Sequence, residues 1–386
     1  MPNDNKGKVV GQVSTKFKDT GGFTLGPVLE AERKIQAKYD ALGGAAALGE
    51  PTDKQLGSVW TLPNGACICY DRHSSTAYHV YGEIYRKWIE FGGLKYGAPS
   101  TDELPLPDGV GRYNHFNNHT ASIYWSPQTG AHAIWGEIRR RWSELGWENS
   151  YLGYPTSSEM DFPQGGRTNT FQRGDIFWWP DTGPIDLGDV VVHYTGFYCF
   201  GETEEDMGTG ADEIYIAMGV FSPSGSNAAT TRIYEGVNDG HSQPDLMELF
   251  RGRAYGMEIN IRLLEHDFGD VSEDRKKMME AFKKAHDEGV KALGTIPYGI
   301  GAIAALAADA LLGKVIPELG GAIFDLFDLG DDTIGKATIR VDARDMVLTA
   351  ARGTNSEFKG IGYRIESPNI KQDDANYKVY FGLVRA

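Results

Sequence analysis

One pattern is written three times in the first half of this chain, and each copy must fold into the same kind of unit. The third copy reads Gly136-Glu-Ile-Arg-Arg-Arg-Trp142-Ser-Glu-Leu-Gly146, then Tyr151-Leu-Gly153-Tyr-Pro155-Thr-Ser-Ser-Glu159. After a Gly-rich stretch it closes with Phe171-Gln-Arg-Gly174-Asp-Ile-Phe-Trp-Trp-Pro-Asp-Thr-Gly183. The second copy has Gly82-Glu-Ile84, Trp88, Phe91-Gly92, Tyr96-Gly97-Ala-Pro99-Ser, Phe116 and Ile123-Tyr-Trp125-Ser-Pro-Gln-Thr-Gly130. The first is worn and lacks the helix Trp, keeping Ile35, Tyr39, Leu42-Gly43 and Leu48-Gly49-Glu-Pro51-Thr52. Pro51, Pro99 and Pro155 stand 48 and 56 residues apart. A period of about 50 fits one supersecondary unit per copy, and stacked arrays of this kind present extended binding surfaces.

Within a copy, Ile84, Trp88 and Phe91 recur at i, i+4, i+7, as do Ile138, Trp142 and Leu145. This spacing predicts a short amphipathic helix with the two Trp residues in the core. Gly92 and Gly146 follow as helix-ending residues. A hairpin is expected next, Arg112–Phe116 against Ala121–Trp125 and Arg167–Phe171 against Asp175–Trp179. The expected fold class is mainly β with helices (α+β). Its predicted parts are a tail at 1–28, a repeat domain at 29–185 and an antiparallel sandwich at 187–386.

This pattern resembles the LGFP repeat family. The matching residues are Leu48-Gly49-Glu50-Pro51-Thr52, Tyr96-Gly97-Ala98-Pro99-Ser100 and Leu152-Gly153-Tyr154-Pro155-Thr156, with the Trp-and-Thr-Gly closers, over residues 30–183. Family members are commonly appended to secreted bacterial enzymes, which they are thought to hold at the cell envelope. The resemblance therefore implies a glycan or polysaccharide partner. Tyr124, Trp125, Trp178 and Trp179 lie near the closing turns, where an exposed ring would stack on a sugar; packing between repeats is the alternative.

Charge divides the chain. Residues 1–185 hold 18 basic and 20 acidic side chains, residues 186–386 hold 20 and 33, and all eight Trp precede residue 180. The acidic half argues against nucleic acid as partner, since phosphate contacts need a basic face; it suits a metal ion. Three Cys make no disulfide framework. Cys67 and Cys69 read as two small residues on one face of a strand, with a strained bridge or metal ligation as alternatives. His115 and His119 have the look of a metal pair but span a turn, which favours a solvated loop.

From Asp189 the pattern changes to short strands, at Val190–Tyr198, Ile214–Phe221, Thr230–Tyr234, Met257–Leu264, Ala337–Val341, Gly360–Ile365 and Tyr377–Val384, which suggests an antiparallel sandwich. Asp206, Asp212-Glu213-Ile-Tyr215, Glu265-x-Asp267 and Asp331-Asp332-Thr-Ile-Gly335 occur in that order. They resemble the calcium-binding loops of the C2 domain, with Glu213 in place of the usual Pro and a long insertion. The resemblance implies calcium as cofactor, ligated by Asp206, Asp212, Glu265, Asp267, Asp331 and Asp332, and calcium-dependent binding to a phospholipid membrane. Calcium takes 6–8 oxygens, so carboxylates from several loops must converge. The bland alternative is a set of solvated acidic loops. The insertion, 272–326, is predicted helical; its apolar Gly/Ala-rich part is a packed hairpin or one that enters lipid.

No His-Glu-x-x-His, Gly-x-Ser-x-Gly or phosphate-cradling loop is present. The leading expectation is a non-enzymatic surface-targeting protein that joins a cell-envelope glycan to a membrane, in its stronger form a membrane-disrupting toxin or effector. A cell-envelope hydrolase with an unrecognised catalytic half is the alternative, and a purely adhesive protein the third. An extracellular or cell-surface location is expected, although Met1-Pro-Asn-Asp-Asn begins no recognisable signal peptide.

Overall fold

The computed structural model describes residues 26–202, 211–266, 333–372 and 374–386, with the isolated positions Lys276, Glu280 and Lys284. Asp206, Asp267, Asp331, Asp332, most of the predicted tail and all but three positions of the 272–326 insertion lie outside the described residues.

The chain opens with α1 (Gly26–Ala41), which buries Ala31, Ile35 and Tyr39 along one stripe, and the short α2 (Gly44–Leu48). Strands β1 (Asp53–Gln55), β2 (Val59–Leu62), β3 (Ala66–Asp71) and β4 (Thr76–Tyr81) then form an antiparallel meander. α3 (Gly82–Glu90) starts directly from β4, and a second meander follows: β5 (Leu104–Pro105), β6 (Arg112–Phe116), β7 (Ala121–Ser126) and β8 (Gly130–Trp135). α4 (Gly136–Leu145) again starts directly from β8 and precedes β9 (Met160–Phe162), β10 (Gly166–Phe171), β11 (Gly174–Trp179) and β12 (Gly183–Leu187). The expected hairpins are thus the middle strands of four-stranded sheets. β6 and β7 pair as expected, Arg112 opposite Trp125. The third copy differs by one position, with Arg167 opposite Trp178 rather than Trp179, because its hairpin turn holds only Gln172 and Arg173, one residue fewer than that pairing needs.

Helices and sheets alternate. α1 packs on one face of the first sheet, through Tyr39 and Trp60, Ile68 and Tyr70. α3 fills the space between the first and second sheets, with Ile84 and Trp88 against Cys67, Cys69 and Val80 on one side and Phe116, Ile123 and Ala133 on the other. α4 does the same between the second and third sheets, with Ile138 and Trp142 against Tyr124, Ile134, Phe171 and Ile176. Both faces of β3 are therefore covered, which is why all six of its residues are buried. Burying each of these large apolar side chains stabilises by about 1.5–3 kcal/mol. The helix aromatic also holds the Leu-Gly-x-Pro turn: Trp88 Nε1 donates to Gly97 O at 2.9 Å, and Tyr39 Oη donates to Gly49 O at 2.7 Å. The worn first copy keeps this bond with a Tyr in place of the Trp.

Only Gly188 and Asp189 separate β12 from β13 (Val190–Gly201). The strands that follow are β14 (Asp212–Ser222), β15 (Gly225–Thr230), β16 (Tyr234–Val237), β17 (Ser242–Gly252), β18 (Met257–Glu265) and β19 (Thr333–Val341). After the helix α5 (Ala343–Ala351) come β20 (Ser356–Phe358), β21 (Ile361–Tyr363), β22 (Ile365–Glu366), β23 (Ile370–Gln372) and β24 (Ala375–Arg385). One sheet has the order β17-β13-β24-β22, the other β15-β14-β18-β19, and β13, β24, β14 and β18 bury alternate residues in one shared core. β17 and α5 are among the elements that escaped the sequence. β17 contains Pro244, which an edge strand tolerates and which makes its sequence read as a turn. α5 is capped by Asp342, whose Oδ1 accepts from Asp345 N at 2.8 Å, an N-cap signal legible in Asp-Ala-Arg-Asp. The expected strand Thr230–Tyr234 is broken between β15 and β16. Among the described residues no helix is long and apolar enough to cross a membrane.

Candidate functional site

The first candidate region is one end of the sandwich. β14 and β18 pair with Ile214 opposite Glu265, and His266 N donates to Glu213 O at 2.7 Å. β18 and β19 pair with Leu264 opposite Thr333, so residues 266–332 leave and return at this same end. β13 ends here and β24 begins, Gly201 standing opposite Asn376. The described acidic residues at this end include Asp212, Glu213 and Glu265, together with Glu202, whose N–H donates to Asp239 Oδ1 at 3.0 Å. The strands thus bring the starts of both acidic segments to one rim.

Of the six expected calcium ligands, Asp212 and Glu265 are described. Asp212 is 2% exposed and accepts a hydrogen bond from Tyr377 Oη. Glu265 is half-buried at the end of β18. Among the described residues no group of three His, Cys, Asp or Glu side chains is arranged to hold a metal ion. The described part of the rim is therefore not a complete ion site by itself.

The aromatic candidates divide by burial. Tyr124 is 3% exposed and Trp179 is fully buried, so neither offers a ring face to a sugar, a correction to the platform of four. Tyr124 stacks between Tyr113 and Trp147, and Trp179 Nε1 donates to Pro163 O at 3.0 Å. Trp125 and Trp178 are half-buried and hold comparable places, opposite Arg112 of β6 and Arg167 of β10.

The Cys pair is resolved by the sheet. Cys67 and Cys69 are free, fully buried and face α3. Burial pushes the Cys69 thiol up to about 12 and raises that of Cys67 as well, so neither is a nucleophile at neutral pH. His115 is not in a solvated loop. It lies in β6, with Nδ1 2.7 Å from Ser122 Oγ, and Arg139 Nε donates to the same oxygen at 2.7 Å. Burial, reinforced by the Arg139 cation, lowers the His115 pKa to about 4. This Ser–His pair has nucleophile–base spacing, yet Ser122 is fully buried.

Sequence reasoning missed the seam between the two halves. Phe162, Phe177, Trp179 and Leu187 of the third sheet share a core with the sandwich and with Met346 and Val347 of α5. Asp175, 1% exposed, accepts from Tyr255 Oη at 3.1 Å and from Arg253 Nη1 at 3.4 Å. Arg344 pairs with Asp181 and lies 5.5 Å from the Trp179 ring. No periodicity marks such a seam, because its partners are 78 or more residues apart.

An array of four-stranded sheets separated by helices, joined without a spacer to an antiparallel sandwich, defines the class of this protein. Residues 97–150 and 152–193 match the LGFP repeat, so the chain carries LGFP repeats over 97–193. The second match runs into β13, where a sandwich strand stands in place of the next repeat helix. No curated protein matches the chain.

Proposed function

We propose that this is a non-enzymatic surface-binding protein. In this reading the LGFP repeats hold a cell-envelope glycan, and the sandwich is C2-like, binding calcium and a phospholipid membrane through its acidic rim. The observation that carries it is the placement of Asp212, Glu213 and Glu265 at the strand ends from which both acidic segments depart, on a body fused to LGFP repeats. Convergent carboxylates repel strongly at short range unless a cation joins them. Trp125 and Trp178 are the rings proposed for the glycan. Two weak contacts on one rigid body reinforce each other through effective concentration. In the stronger form of this reading, segment 272–326 enters the bilayer.

The test is calorimetry with calcium, co-sedimentation with anionic liposomes, and co-precipitation with envelope polysaccharide. Calcium heat lost in Glu265→Gln, calcium-dependent sedimentation, and polysaccharide retention lost in Trp125→Ala with Trp178→Ala are expected. No calcium heat and no lipid binding would remove the membrane half; retention unchanged in the double Trp variant would remove the glycan platform.

A further inference from the structure

Gly93 and Trp147 occupy the same place in successive units. Each opens the 3-10 turn after its helix, each follows a left-handed glycine (Gly92 or Gly146), and each has φ of +59°. The Trp147 ring fills the gap between the second sheet and α4. It lies 5.3 Å from Trp142, 5.9 Å from Tyr124 and 5.0 Å from the Arg139 guanidinium. A non-glycine residue in this backbone region is strained, a cost that the packing of the indole offsets.

Between the first sheet and α3 the same gap is open. Thr61 pairs with Cys67 as His115 pairs with Ser122, one step from the hairpin end. Tyr85 stands at the place of Arg139, Trp88 at that of Trp142, and Gly93 at that of Trp147. Thr61 in place of a histidine and the missing indole leave a cavity of about 450 Å³ lined by Thr61, Cys67, Tyr85, Trp88 and Gly93. That volume lies within the range of ligand pockets, roughly 300–1,000 Å³. Its rim carries Ile89 and Leu94, apolar side chains 50% and 42% exposed.

We propose that this cleft is a binding slot for an aromatic side chain, of indole size, carried by a peptide or protein partner. The chain itself displays the fitting occupant in the sister gap, where the Trp147 indole lies against Trp142, Tyr124 and Arg139. Trp88 and Tyr85 supply ring contacts of the kind that favour an aromatic guest, and aromatic anchors in pockets commonly carry the energy of an interface. The exposed Ile89 and Leu94 give the flanking chain of the partner an apolar seat. This inference is independent of calcium and of glycan binding.

The test uses the full chain with ¹⁵N-labelled indoles, titrated with N-acetyl-tryptophanamide. The Trp88 Nε1–H resonance is expected to shift and saturate with a dissociation constant on the order of 1 mM, as suits a single ring. Gly93→Trp, on a backbone that carries Trp at 147, is expected to abolish the shift and raise Tm; Thr61→Tyr, which narrows the slot from the strand side, is expected to weaken binding at least fivefold. No Trp88 shift in the unaltered protein, or binding undiminished in both variants, overturns the proposal. So does a Trp88 response to N-acetylglucosamine or to free indole without one to the amide probe.

Discussion

Asp175 Oδ2 and Arg253 Nη1 lie 3.4 Å apart across the seam between the third sheet and the sandwich, with Tyr255 Oη on the other carboxylate oxygen. This one carboxylate ties strand β11 to the loop between β17 and β18, and the two halves form one continuous core around it.

Arg253→Ala leaves Asp175 buried without its cation, and breaking a buried pair costs about 3–5 kcal/mol. Asp175→Asn in the same background is expected to restore a large part of that. Urea unfolding followed by Trp fluorescence reports on the repeat half, since all eight Trp precede residue 180. A cost below about 1 kcal/mol for Arg253→Ala would place this pair with exposed ones.

Burial raises the Asp175 pKa to about 7, with Arg253 opposing it, and raises that of Glu159 to about 7 against Arg167. A folded-state pKa above the unfolded value means that the native state holds more protons, so this stability is complete below about pH 4 and is lost as pH rises through 7. Asp175→Asn is expected to flatten the decline in Tm between pH 4 and 7. An unchanged profile would mean that Asp175 does not titrate in that window.

His115 acts with the opposite sign. Its folded pKa, lowered to about 4, leaves the unfolded chain as the better proton binder below pH 6.5. Its contribution is present above that pH and is lost as pH falls through 6.5 toward 4. His115→Thr, the residue at the equivalent positions 61 and 170, is expected to remove this acid-side loss, read as a smaller Tm difference between pH 7 and pH 5.

Gly97 has φ of +137°, and a Cβ there would stand 2.5 Å from Asn117 Cβ. Gly97→Ala is expected to cost several times more than Gly65→Ala, where φ is +67° and nothing lies within 4 Å; the latter pays only left-handed strain, roughly 1–2 kcal/mol. Equal costs would show that the Tyr96–Pro99 turn moves away from the β6–β7 turn freely.

Much of the fold is legible because it is local. Ile84, Trp88 and Phe91 announce α3 by spacing, and the β6–β7 hairpin pairs where alternation puts it. The sites are less legible. Tyr124 and Trp179 sit in strands whose neighbours decide their exposure, and a one-residue register difference moves the partner of Arg167 from Trp179 to Trp178. α5 and β17 were hidden for different reasons. A nine-residue helix with a weak stripe is outweighed by its surroundings, and Pro244 marks a turn unless the strand is known to lie at an edge.

The sequence alone determined the three units and their helix-then-sheet order, since periodicity and glycine placement act within a few residues of themselves. Tertiary structure alone decided that each helix lies between two sheets, that Asp175 meets Arg253, and that an indole fills one gap while its sister stays open. Those outcomes depend on side chains brought together from distant places in the chain, and on the volume left when they pack.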